Sequence, residues 1–303
     1  MRIRGGIALL VVLIGAGSAA PAMCEVKRAQ IGDAELAYVE AGSGEVIVFV
    51  HGGLQDYRLW DAHLPVFSGR YHTVAYSRRN HYPNAVSIDG TPDGAADLHA
   101  GDLAALIKVL GFRRVHVVAH SAGAHAALIF ASNHPEMVVT LVVNEPPASG
   151  LLLSSTSGRT IAADFNARLA PSREAFRTGD MRNAGRMFAD AVGGTGTYDR
   201  RSEAMRQMML DNSFAHAADA TSARPRPVFT CEMAKRITIP TLIMQGTRSP
   251  PFFGAVVDEL ERCLANRERV RIDASHTVPA ENPNDFDAAV LTFLSKHPNS
   301  PAP

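Results

Sequence analysis

The sequence lacks the marks of several large classes of protein. It shows no metal-ligand cluster, no haem-attachment motif and no dinucleotide fingerprint, so no cofactor is implied. It has no charge of either sign to spare. Lysine and arginine total 30, as do aspartate and glutamate, and there is no basic helix to gather nucleic acid or an anionic membrane. It has no internal repeat, and low complexity is confined to the tail "HPNSPAP". What it has is a 46% hydrophobic composition over 303 residues, enough for one large core, or one core and a subdomain. The expected partner is a small neutral or amphipathic molecule; oligomeric state is not legible.

Long apolar runs are also scarce, with one exception at the N-terminus. Arg2 and Arg4 precede "IALLVVLIGAG" and the small-residue segment "SAAPAMC", the layout of a secretory signal peptide over residues 1–22. As a helix the apolar part would rise about 17 Å, short of the roughly 30 Å hydrocarbon core, so cleavage near Ala20 or Ala22 is expected rather than stable membrane insertion. Cys24 follows Met23, which is larger than the residue lipoprotein processing takes before its cysteine. Secretion or a periplasmic location would expose the remaining cysteines, Cys231 and Cys263, to oxidation. They form either a disulfide worth about 3 to 4 kcal/mol or two buried thiols.

Beyond the leader, "AELAYVEAG" alternates like a strand, and "EVIVFV" is an apolar run of the kind buried on both faces of a parallel sheet. "HTVAYS", "RVHVVAH", "VVTLVVN", "TLIMQG" and "RVRIDA" follow, separated mostly by helical patterns at 95–110, 122–133, 254–265 and 284–295. This alternation predicts a mostly parallel, doubly wound α/β sheet with ligands at the carboxyl ends of its strands. From Pro146 to about Thr238 no strand is legible. Amphipathic helices at 160–169, 180–192 and 200–211, with Gly193, Gly194 and Gly196 as a hinge, predict a helical cap inserted after the sixth strand. The core then spans 26–145 and 239–297, and the cap 146–238.

Three motifs carry chemistry. "VHVVAHSAGAHAAL" is a strand, a tight turn at Ser121 and a helix opened by Ala122, Gly123 and Ala124. It is a G-x-S-x-G elbow with Ala119 in the first place. "VFVHGGL" is a strand ending in His51-Gly52-Gly53, whose glycines leave backbone N–H groups open to a substrate. "IDASHTVPAENPNDF" is a strand that ends near His276. In this order and spacing the motifs resemble the α/β-hydrolase superfamily over about residues 26–297. The resemblance implies Ser121 as nucleophile, His276 as general base and then acid, and the N–H groups of Gly53 and Ala122 as the oxyanion hole. His51, His120 and His125 read as packing or turn residues.

The triad acid departs from the commonest family pattern. Where most relatives carry it after "TLIMQG", this chain has Thr247, Arg248 and Ser249, none of which can hold an imidazolium. Glu145, in "LVVNEPP", closes the strand that follows the elbow helix. This position is similar to that of the acid in haloalkane dehalogenases and zearalenone-lactone hydrolases. Pro146 and Pro147 would stiffen the turn beneath it. Asp258, inside a helix, and Asp273, on the histidine's own strand, compete less well.

A serine nucleophile with a base and an oxyanion hole implies acyl transfer. Dehalogenase and epoxide-hydrolase chemistry on this fold needs an aspartate at the elbow, which Ser121 is not. The expectation is an exported hydrolase of carboxylic esters or lactones. Carbon–carbon bond hydrolases, cofactor-free perhydrolases and non-catalytic receptors of the same fold are the alternatives. The cap residues Met181, Met187, Phe188, Met205, Met208, Met209 and Phe214 are expected to supply apolar pocket walls or the cap's own core. Arg78, Arg79 and His81, in "YSRRNHYPN", either reach the substrate or pin their loop.

Overall fold

The computed structural model describes residues 25–86, 95–221 and 227–299; the expected leader, residues 1–22, lies outside them. Eight strands form one sheet: β1 (Lys27–Ile31), β2 (Ala34–Ala41), β3 (Val46–Val50), β4 (His72–Tyr76), β5 (Val115–His120), β6 (Val138–Asn144), β7 (Thr241–Gly246) and β8 (Arg267–Ile272). Their spatial order is β1-β2-β4-β3-β5-β6-β7-β8. β2 runs antiparallel to β1 and β4, and every other pairing is parallel.

The unbroken apolar run in β3 follows from this layering. Val48 and Val50 join one core cluster, with Leu103, Ile107 and Leu128 from the helices Ala96–Val109 and Ser121–Asn133. Ile47 and Phe49 point the other way, into a second cluster with Trp60, Phe67, Val290 and Phe293. A strand with helices on both faces has no solvent side, so period-two alternation disappears from its sequence. Each such side chain, fully buried, contributes roughly 1.5 to 3 kcal/mol.

β1 carries no strong strand signal. Lys27, Arg28 and Gln30 are exposed and only Ala29 and Ile31 face the core, the pattern of an edge strand whose outward positions are polar.

β3 lies between β4 and β5, so successive connections leave it in opposite directions and open a crevice at the carboxyl edge of the sheet. His51-Gly52-Gly53 and Ser121 emerge there.

Between β6 and β7 the described residues are helical, chiefly Thr156–Arg177, Met181–Gly193, Glu203–Asp211, Ser213–Thr221 and Cys231–Lys235. The first runs well beyond the expected 160–169. Ser155 caps it by accepting from the Gly158 N–H at 3.0 Å, which starts it early. Pro171 lies inside it without ending it. The turns beyond are held by tertiary contacts, buried Phe176 and a 2.9 Å bond from Ser172 Oγ to the Ala184 carbonyl. The helix expected from Arg200 begins at Glu203 instead, because Ser202 caps it through the Met205 N–H.

Among the ties that join this insertion to the sheet layer are hydrogen bonds from Asn212 to Asp56 and from Arg201 to Thr277, an aromatic stack and a disulfide. Phe165 stacks on Phe252 with ring centroids 4.0 Å apart and planes within 3°. Cys231 and Cys263 are joined in a disulfide, their Cα atoms 5.3 Å apart. The alternative of two free thiols is thereby removed.

Candidate active site

Ser121 is the first residue of its helix and has φ +51°, a left-handed conformation that side chains adopt only when the surrounding fold enforces it. The enforcement is steric. A Cβ on Gly123 would come within 2.3 Å of the His51 carbonyl oxygen and 2.8 Å of that of Val50, so helix and β3 approach closely because position 123 is glycine. The turn lifts the serine hydroxyl out of the sheet edge toward His276.

His276 follows β8, with Nε2 2.8 Å from Ser121 Oγ and Nδ1 2.7 Å from Glu145 Oε2. Glu145 follows β6 with φ +45°, a second enforced left-handed residue. Its other oxygen, Oε1, accepts the Gly246 N–H at 2.8 Å from the end of β7. Four parallel strands thus converge on one hydrogen-bonded chain. Its members are sheltered from water, at 8%, 2% and 0% exposure for Ser121, His276 and Glu145.

Burial sets the electrostatics. It pushes the His276 imidazole well below its ordinary value, and the nearby Arg201 guanidinium adds to the effect. The ring is therefore neutral at neutral pH, with Nδ1–H donating to the carboxylate and Nε2 accepting from the serine. Burial also pushes the Glu145 carboxyl up, while the Ser249 hydroxyl and the Gly246 N–H favour its charged form. Phe253 lies flat against the imidazole, centroids 3.9 Å apart and planes 18° apart. His120 stands on another side at 4.9 Å; its Nδ1 is 2.7 Å from Asn144 Oδ1. Burial and the neighbouring His276 hold the His120 ring well below its ordinary value too.

Gly53 and Ala122 line a cavity of about 230 Å³ together with Ser121. Its walls include Phe165, Leu169, Phe176, Phe188 and Val192 from the insertion, and Phe252 and Phe253 from the helix Pro251–Cys263. Of the methionines and phenylalanines singled out in the sequence, only Phe188 reaches this cavity. Met208 and Met209 are buried elsewhere, and Phe214 is 60% exposed. Which face of an amphipathic helix lines the cavity is a tertiary property, which is why the sequence left pocket wall and cap core open as alternatives.

The competing acids are engaged elsewhere. Asp258 pairs with Arg269 at 2.7 Å, and Asp273 with Arg248 and Thr247. Of the three histidines read as packing residues, His51 and His120 are buried in hydrogen-bonded positions, whereas His125 lines the cavity. No role at the site was legible in the sequence for Phe253, Asn144 or Gly246. Only Asn144 left a trace there, as a polar residue ending an otherwise apolar strand.

Comparison with known proteins agrees with this architecture. The chain is similar to a fluoroacetate dehalogenase of a Burkholderia species, 30% identical over 122 residues that make up 39% of this chain and 40% of the relative. It is similar over most of its length to a non-heme haloperoxidase of Rhodococcus erythropolis, 26% identical over 275 residues, 86% of this chain and 96% of the relative. Among solved structures, the enol-lactonase of Burkholderia xenovorans LB400 superposes with a TM-score of 0.69 at 19% identity, covering 89% of this chain and all of that one. A family model matches residues 47–289, and on that match the chain is a member of the alpha/beta hydrolase family.

Proposed function

We propose that the protein is an exported serine hydrolase that cleaves carboxylic esters, lactones among them, through an acyl-enzyme. The observation that carries the reading is the continuous chain from Ser121 Oγ through His276 to Glu145 at the edge of an apolar cavity.

In this mechanism His276 Nε2 takes the proton of Ser121 as Oγ attacks the substrate carbonyl carbon. The N–H groups of Gly53 and Ala122 receive the negative charge that develops on the carbonyl oxygen. Glu145 orients the ring and stabilises the imidazolium formed. The imidazolium protonates the departing alkoxide, which stays tethered to the acyl group when the substrate is a lactone. Water, deprotonated by His276, then releases the acid and restores Ser121. The carbon–halogen chemistry of a dehalogenase needs a carboxylate nucleophile, which position 121 does not offer.

Residues 146–238 act as a cap, on the strength of the insertion residues that wall the cavity, Phe165, Leu169, Phe176, Phe188 and Val192 among them. The lactone part of the reading rests on the acid's position after β6. Export rests on the leader pattern at residues 1–22, and the disulfide accords with an oxidising compartment.

The test is a panel of aryl esters, alkyl esters and lactones assayed with the wild type and Ser121→Ala. Turnover on at least one ester or lactone is expected, with a loss of 10⁴-fold or more, on the order seen for triad nucleophiles, in the variant. Turnover of every active substrate that survives Ser121→Ala would refute the mechanism. No turnover on any member would favour a receptor.

A further inference from the structure

Among the described residues of the loop after β4, 77–86, none lines the cavity, yet the segment bears on the oxyanion hole. Arg78 is fully buried, and its Nη2 donates to the Gly52 carbonyl oxygen at 3.0 Å. A second donor meets the same oxygen. The backbone N–H of Arg78 can only donate, and it does so to His51 Nε2 at 2.8 Å. The neutral His51 ring therefore carries its proton on Nδ1, 2.8 Å from that carbonyl. Both lone pairs of the Gly52 oxygen are engaged on the buried side of the peptide.

A trans peptide is planar, with its N–H directed opposite to its C=O. Holding the Gly52 oxygen inward turns the Gly53 N–H outward, toward the cavity that Gly53 lines with Ser121. The preceding peptide is held as well, since the Gly52 N–H donates to Gln55 Oε1 at 2.9 Å. The fit leaves no slack: a Cβ on Gly52 would lie 2.8 Å from His120 Cδ2 and 3.0 Å from Ser121 Cβ.

The loop itself is stiffly mounted. Asn84 donates to the carbonyls of Ser77 and Arg78 at 2.9 and 3.0 Å and accepts the Ala37 N–H of β2 at 2.7 Å. Donation into the Gly52 carbonyl also polarises the peptide, which strengthens its N–H as a donor.

We propose that Arg78, acting with His51, is a positioning residue for the oxyanion hole, fixing the Gly52–Gly53 peptide so that its N–H faces the developing charge beside Ser121. The proposal rests on the serine-hydrolase reading above. It assigns the "YSRRNHYPN" loop the task of holding backbone geometry rather than contacting substrate.

The test compares wild type, Arg78→Met and Arg78→Lys on the best ester of the panel. Four quantities are read: kcat, KM, and the inhibition constants of a trifluoromethyl ketone and of the matching alcohol. The ketone forms an oxyanion when Ser121 adds to it, and the alcohol does not. In Arg78→Met, kcat is expected to fall by about 10²-fold, the order seen when one oxyanion donor is lost, with KM within about threefold. Affinity for the ketone should fall in parallel and affinity for the alcohol should hold. Arg78→Lys keeps one donor in place of a fork, and its kcat should lie about tenfold below wild type.

A kcat for Arg78→Met within about threefold of wild type overturns the proposal, as does an equal loss of affinity for ketone and alcohol. If Arg78→Met is not folded by circular dichroism, Arg78→Lys decides, and an unchanged kcat there overturns it. The two readings fail separately. Turnover that survives Ser121→Ala removes both, whereas a dead Ser121→Ala beside an unaffected Arg78 variant removes only this one.

Discussion

Glu145 is the residue on which sequence and structure bear most directly together. It was legible because Thr247, Arg248 and Ser249 left the usual acid position empty and because a carboxylate at the end of a buried strand calls for a partner. Its backbone strain and the Gly246 N–H that holds its second oxygen were not legible, since both arise from the packing of β6 against β7. Glu145→Gln is expected to lower kcat by about 10³ to 10⁴. Ser249→Ala, which removes only a hydroxyl that favours the charged carboxylate, should cost tenfold at most. Steady-state kinetics of the two variants checks the ranking, and the reverse order would move the acid's role away from position 145. The histidine yields a second expectation. In the proposed mechanism its basic form is the active one, and burial lowers its affinity for protons, so the acid limb of kcat/KM should lie below the ordinary imidazole value near 6.5. A pH–rate profile with an inflection at 7 or above would contradict the sheltered geometry.

At the scale of elements, the strands with both faces covered were readable because their composition is simple, and the edge strand β1 was not because three of its five residues point into solvent. The insertion was readable as helical but not in its lengths. Pro171 suggests a stop, yet Phe176 and Ser172 are tied down strongly enough to carry the helix past it. The pairing of Cys231 with Cys263 depends on how the last helix of the insertion lies against the helix Pro251–Cys263, which no local pattern encodes. A bridge over a sequence separation of 32 contributes about 4 kcal/mol in the chain-entropy account. Reduction, or Cys231→Ser, should therefore lower Tm on the order of 10 °C for a chain of this size. Differential scanning fluorimetry with and without reductant measures this, and equal melting curves would mean the bridge constrains little.

For the molecule as a whole, the sheet order concentrates chemistry at one edge. The ends of β3, β5, β6, β7 and β8 deliver Gly53, Ser121, Glu145, Gly246 and His276 to within a few side-chain lengths of each other, although they span 224 positions of the chain from 53 to 276 inclusive. That convergence was readable from motif order, because each motif closes a strand. The proposed export gives the expectation at this scale. Protein recovered from the medium or periplasm of an expressing bacterium should begin after Ala20 or Ala22 by N-terminal sequencing, and recovery of only the full-length chain from the cytoplasm would oppose it.

The covalent tie at Cys231 also constrains how a substrate gets in. The insertion leaves the sheet through Pro146 and Pro147 and is stapled back, at its far end, to the helix whose Phe252 and Phe253 wall the cavity. On the cap reading proposed above, this fastening at both ends makes the insertion an arch rather than a flap. Admission and release then fall to rearrangements within the arch, and the size of the molecules the enzyme accepts becomes a property of its span.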